Sequence, residues 1–186
     1  MFKKIIVIFT FIFFILSLLN TLEIGKITLP DEITIQSDTL LLNGAGIRKK
    51  LIFKVYVGAL YLKQKNEDAN VILEADEPMV VRMHFTYKGV SPEKLINAWN
   101  EGFANANTPE ELQPKIDEFN SYFTEKALKN DVYDIIYEPG IGTSVYIKDE
   151  LKGTIEGLDF KEAVFAIWLG ENTALPKLKK AMLGLK

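Results

Sequence analysis

The apolar residues of this chain fall into runs whose period changes several times. The first run, Ile5 to Leu19, spans fifteen positions behind Lys3-Lys4 and ends at Asn20-Thr21. A charged start before a short apolar stretch is the layout of an export signal, and the run is short of the roughly 20 residues a spanning helix needs. Residues 1–20 are therefore expected to be a signal peptide or, since no clean small-x-small cleavage site follows, an N-terminal anchor. Residues 21–186 are expected to form one domain, exported to the periplasm or cell envelope.

Beyond that run, Ile33–Ile35 and Thr39–Leu42 read as short strands before a turn at Asn43-Gly44-Ala45-Gly46. Leu51 to Leu62 is a long apolar, β-branched strand, and Gly58-Ala59 inside it signals a bulge or a close approach by another element. A short helix is expected within 68–75. Met79–Tyr87 alternates, which puts Val81, Met83, Phe85 and Tyr87 on one face and Val80, Arg82, His84 and Thr86 on the other.

Helix signals follow. Ser91-Pro92-Glu93 joins a serine cap, a proline at the first helical position and an acid in the first turn, before Leu95, Ile96, Trp99, Gly102 and Phe103. Thr108-Pro109-Glu110-Glu111 repeats the signal before a stripe of Leu112, Ile116, Phe119, Phe123 and Leu128. Strands are expected at 131–137, 143–148 and 151–156, the last two joined as a hairpin at Asp149-Glu150. Asp159 is expected to cap a helix running to Gly170, and Leu175-Pro176 opens a last helix ended by Gly184. Strands, then helices, then strands, then helices predict an α+β fold with one antiparallel sheet and helices on one face.

Composition narrows the chemistry. Without Lys3 and Lys4 the chain has 20 basic and 25 acidic residues, a net charge of −5, and only two of its bases are arginine. Such a domain is a poor partner for nucleic acid. There is no cysteine, hence no disulfide, thiol nucleophile or lipidated-cysteine anchor, and a lone histidine, His84, does not make a metal site of the usual type. No metal and no cofactor are expected. Asn43-Gly44-Ala45-Gly46 lies between strands, so it is not a phosphate loop. No nucleophile elbow accompanies His84, which reads as an ordinary strand residue.

Arg48 is the residue to single out. Arginine presents a planar fork of donors suited to a carboxylate or polarised carbonyl, and it is rare in this lysine-using chain. The plain alternative is a surface arginine paired with an acid, and Arg82 has that alternative with less context. Tyr56, eight residues on, offers a phenol as a further donor; otherwise it is an amphipathic core residue.

Four stretches carry a resemblance. They are Leu42–Arg48, Phe53–Leu62, Gly157–Phe160 with Ala166–Gly170, and Leu175–Gly184. Together they resemble the chalcone isomerase-like family, in particular its exported bacterial branch, from about Leu29 to Gly184. The resemblance implies an open-faced β-sandwich: a large antiparallel sheet covered by a helical layer. Chalcone isomerases close a flavonoid ring by Michael addition. They use an arginine after the Gly-Ala-Gly segment, a threonine on the next strand, a tyrosine and an asparagine around the first long helix, and a threonine or serine on the late helix. Carried onto this chain, only the arginine is kept, as Arg48. The other positions fall at Tyr56, near Ser91, near Ala98 (with Asn97 adjacent) and at Ile167.

Fatty-acid-binding members of the family are similar in keeping the arginine and a tyrosine on that strand, where the pair holds the acyl carboxylate. The resemblance thus implies a non-catalytic binder of a small amphipathic carboxylate, such as a fatty acid. Arg48 and Tyr56 would hold the head group, with Ile167 and Trp168 beside it. Phe165 and Leu169 are further candidates for the cleft wall, with ordinary helix core as their plain reading. Two alternatives stand beside this: an intramolecular lyase or isomerase of unknown substrate, with Arg48 as its catalytic group, and a structural or partner-binding envelope protein. A membrane is expected only through an uncleaved N-terminal segment. An open apolar cleft reaching Arg48 is the observation that separates these readings.

Overall fold

The two longest strands pair as a hairpin around which the rest is built. The computed structural model describes residues 21–185, so the export segment at 1–20 lies outside the described residues. β1 (Thr21–Ile24) and β2 (Ile27–Pro30) form a small separate hairpin. The main sheet has seven antiparallel strands in chain order. These are β3 (Glu32–Ile35), β4 (Asp38–Lys50), β5 (Phe53–Leu62), β6 (Met79–Phe85), β7 (Val132–Glu138), β8 (Gly142–Ile147) and β9 (Glu150–Ile155). The helices are α1 (Ala69–Glu74), α2 (Pro92–Asn105), α3 (Gln113–Ser121), α4 (Leu158–Leu169) and α5 (Pro176–Met182). This is the α+β architecture expected, with the helical layer on one face.

The sheet has two apolar faces, as its alternation requires. Leu60, Leu62, Val81, Met83 and Phe85 meet the helices; Val57, Ala59, Tyr61 and Val80 point the other way, towards Leu29 and the partly buried Ile24 and Ile27 of the small hairpin. On that second face Arg82 makes a two-pronged ion pair with Asp134, at 2.8 and 2.7 Å. Under the helical layer, α2 contributes Leu95, Trp99 and Phe103. α4 is buried almost all round, which marks it as the central helix.

Several expectations need correction. Asn43-Gly44-Ala45-Gly46 is not a turn: β4 runs through it. The glycines serve close approach instead. A Cβ on Gly44 would lie 2.2 Å from the Ala181 carbonyl oxygen, and one on Gly46 would lie 2.6 Å from Ala181 Cβ. Asn43 stands opposite no residue of β5, as a bulge, and its side chain donates to the Met182 carbonyl at 2.9 Å. This segment is the seat of α5. Leu51 and Ile52 are not strand residues but the turn between β4 and β5. Leu128 is half-exposed, off its expected stripe. The β8–β9 turn falls at Lys148-Asp149, both at positive φ, as a tight hairpin turn favours. Gly157 rather than Asp159 caps α4; Asp159 sits in the first turn, ion-paired with Lys115 at 2.7 Å.

One buried charge went unread in the sequence. Lys161, on α4, is fully buried, and its ammonium donates to the carbonyls of Ile72, Leu73 and Ala75 at 2.9, 2.6 and 2.7 Å. Burial lowers its pKa to about 8. Its three donors close the C-terminal end of α1, where unpaired carbonyls favour a cation. Lys161→Met is expected to leave those carbonyls short of donors and to lower the free energy of unfolding by about 3 kcal/mol, read by urea denaturation.

Candidate functional site

The register of β4 and β5 places Arg48 directly opposite Tyr56. A bulge follows at once, leaving Val55 without a partner on β4. Val55 and Tyr56 therefore both pack into the helix-side core, and strict alternation with Lys54 is broken. The Arg48 guanidinium carbon lies 5.5 Å from the centre of the Tyr56 ring, within cation–π range. Phe85 meets the same ring edge-on at 5.7 Å.

Trp168 stands behind this pair. It is fully buried, and its indole N–H donates to the Tyr56 hydroxyl oxygen at 2.9 Å. That bond occupies an acceptor site of the phenol and leaves its proton free. Among the described residues no acceptor receives that proton. The Arg48 Nε is buried without a partner as well, and no acid among the described residues pairs with its guanidinium. Arg82 has its acid and Arg48 does not, so the plain surface-pair reading applies to Arg82 alone.

Both residues line a cleft of about 240 Å³, open to solvent, between the β4–β5 hairpin and α2. Its wall includes Phe85, Leu95, Ala98, Trp99, Gly102, Ile167 and Leu175, with Lys49, Lys50 and Glu101 as charged members. Gly102 lets α2 approach α4, since a Cβ there would lie 2.7 Å from Ile167 Cγ2. Ile167 thus forms part of the wall. Trp168 supports Tyr56 from behind rather than lining the cleft, and Phe165 and Leu169 are fully buried core. Ala98 and Ile167 present only hydrocarbon, Asn97 is exposed, and Ser91 stands at the start of α2 outside the wall. His84 pairs with Val57, whose side chain is on the opposite face of the sheet.

Trp99 was missed as a site residue. It lines the cleft, its indole N–H is buried without an acceptor, and it meets Trp168 edge-on at 5.6 Å. Its place in the stripe Leu95, Trp99, Gly102 read as ordinary helix core. The presence of a tryptophan next to a glycine-permitted helix contact was the available signal.

Burial raises the pKa of Tyr56 above 10; the charge of Arg48 and the bond from Trp168 oppose this and do not overcome it. The phenol is therefore a donor at any physiological pH. In the unfolded chain it ionises near 10, so above that pH the unfolded state holds fewer protons and folding loses stability. Wild-type protein should lose more unfolding free energy between pH 8 and pH 10.5 than Tyr56→Phe, as measured by urea titrations at both values.

The comparisons with known proteins agree with this architecture. A solved structure of a fatty-acid binding protein from Arabidopsis thaliana superposes with a TM-score of 0.74 at 19% sequence identity, covering 88% of this chain and 96% of that one. At that identity the likeness shows the fold. No match is found among curated proteins. The model of the family described as chalcone isomerase-like matches residues 21–184, and the chain belongs to that family.

Proposed function

We propose that the protein is a non-catalytic binder of a small amphipathic carboxylate, such as a fatty acid. The observation that carries this reading is the pair of unsatisfied donors at Arg48 and Tyr56, side by side in a cleft walled by apolar side chains together with Lys49, Lys50 and Glu101. A buried donor without an acceptor costs about 1–3 kcal/mol, and an anionic acceptor restores it with a charge-assisted bond. A carboxylate has the shape for the arginine fork and lone pairs left for the phenol. The similarity to a fatty-acid binding protein supports the same reading.

The cleft is smaller than the roughly 300 Å³ lower bound of ordinary ligand pockets. A second hollow of about 320 Å³ adjoins it and shares Arg48, Lys50, Leu51 and Ala98. The head group belongs in the first and a longer tail extends into the second. Two positions where the resemblance to isomerases implies polar groups fall near Ala98, with the exposed Asn97 adjacent to it, and at Ile167. The cleft wall holds Ala98 and Ile167, which favours binding over ring closure. The same reading takes residues 1–20 as an export signal, on Lys3-Lys4 and the apolar run behind them. Recovery of the protein outside the cytoplasm on cell fractionation checks that part.

Isothermal titration of the purified protein with saturated fatty acids tests the binding. Arg48→Gln is expected to weaken affinity roughly 10- to 100-fold, and Tyr56→Phe up to roughly tenfold. Equal affinity in wild type and both variants would sink the assignment.

A further inference from the structure

The tip of the β4–β5 hairpin displays residues that a folded domain ordinarily hides. Leu51 and Ile52 form the two-residue turn between Lys50 and Phe53 and are 90% and 86% exposed; Phe53 is half-exposed. Leu51 also holds φ at +56°. That region is disfavoured for a bulky side chain, and such turns normally use glycine or asparagine. The sequence thus keeps two large aliphatic side chains in water, one of them on a strained backbone, where a small polar pair would be more stable. Scattered single apolar residues need no explanation, but a contiguous apolar tip does.

The charges next to the tip on its own two strands are of one sign, and Glu101 of α2 is the acid across the cleft from them. Lys49, Lys50 and Lys54 flank the tip, all exposed, in a domain that is acidic overall. An apolar point within a collar of lysines suits the interface of an anionic bilayer: aliphatic chains enter the acyl boundary and ammonium groups meet the lipid phosphates. Phe53, edge-on to Tyr87 at 5.5 Å, is an aromatic at the edge of that tip. A second copy of the chain fits less well, because a two-fold pairing of this tip would bring the lysine collars together. The hollow under the tip, walled by Leu51, Phe53 and Val90, is the one that adjoins the cleft of Arg48.

We propose that the β4–β5 hairpin is a membrane-docking element, which inserts Leu51 and Ile52 into an anionic lipid surface and seats the mouth of the cleft against it. This contact is separate from any made by residues 1–20. It goes beyond the carboxylate reading of the cleft, and the two fail separately, since the test contains no fatty acid.

The chain has no cysteine, so one introduced by Ile52→Cys takes a single environment-sensitive dye. Ile141→Cys is the control; it lies in the β7–β8 turn, at the other end of the sheet, and is also an exposed aliphatic. Both are made in the full chain and mixed with vesicles of phosphatidylcholine and phosphatidylglycerol. The dye at 52 should shift to the blue and the dye at 141 should not. Replacing Lys49, Lys50 and Lys54 by glutamine should weaken the vesicle dependence of that shift roughly hundredfold. The proposal is overturned by no shift at 52, by equal shifts at both positions, or by an equal shift at 52 on pure phosphatidylcholine. A blue shift at 52 without vesicles, growing with protein concentration, assigns the tip to a second copy and overturns it too.

Discussion

Gly46 faces Gly58 across the β4–β5 ladder, and α5 lies over the pair with Leu178 and Ala181. A Cβ on Gly46 would lie 2.6 Å from Ala181 Cβ and force the helix to move, one on Gly58 would press on Tyr56 and Leu178 at 3.2–3.4 Å, and Gly44 is tighter still. This close approach is what fixes the hairpin. Two residues beyond Gly46 on β4, and two before Gly58 on β5, the register sets Arg48 against Tyr56. The bulge at Val55 lies just outside that pair and the bulge at Asn43 just outside the glycines, so the segment between them pairs without interruption. A one-residue slip would turn Arg48 to the other face of the sheet, away from α2 and α4. The cleft is thus a consequence of how α5 packs, although α5 contributes little of its wall.

The polar groups of the buried layers divide into those with partners and those without. Lys161 has three carbonyls, Asp134 has the fork of Arg82, and Asn43 bonds both to α5 and to the loop after β5. Each is spread across two elements and ties them together. At the cleft the pattern reverses: Arg48 Nε and the indole N–H of Trp99 lack acceptors, and the phenolic proton of Tyr56 has none among the described residues. Trp168 explains why this state is specific rather than slack. By donating to the Tyr56 oxygen it holds the ring and prevents the hydroxyl from turning back into the core. Unpartnered atoms occur elsewhere too, at His84, Thr108, Asn120 and Thr143, but the cleft brings two unmet N–H donors and a free phenolic proton together.

Much of this was legible in the residues. The alternation of β6, the Ser91-Pro92 start of α2 and the apolar content of α4 follow from period and capping, which are local properties. The prominence of Arg48 was legible too, because arginine is rare in this chain. What local pattern could not show is what lies above a strand. Asn43-Gly44-Ala45-Gly46 has turn composition, but its glycines answer to Ala181 and Met182, well over a hundred residues away. Trp168 belonged to a contiguous apolar helix, and only the fold separates its place behind Tyr56 from that of Ile167 in the wall. Leu51 and Ile52 read as strand because their composition is that of a strand; their exposure is a tertiary fact.

The same geometry bears on chemistry. To accelerate a ring closure, a site must bind the transition state better than the ground state, with donors aimed where charge develops. Here the donors gather at one end, on Arg48, Tyr56 and Trp99, while Ala98 and Ile167 offer hydrocarbon along the wall. In the proposed reading a carboxylate carries its full charge when it arrives, so such donors would grip it equally throughout and confer affinity rather than rate. The phenol stays protonated at neutral pH, because burial raises its pKa. Donors of this kind suit the proposed grip on an anion, at a point where the two adjoining hollows share Arg48.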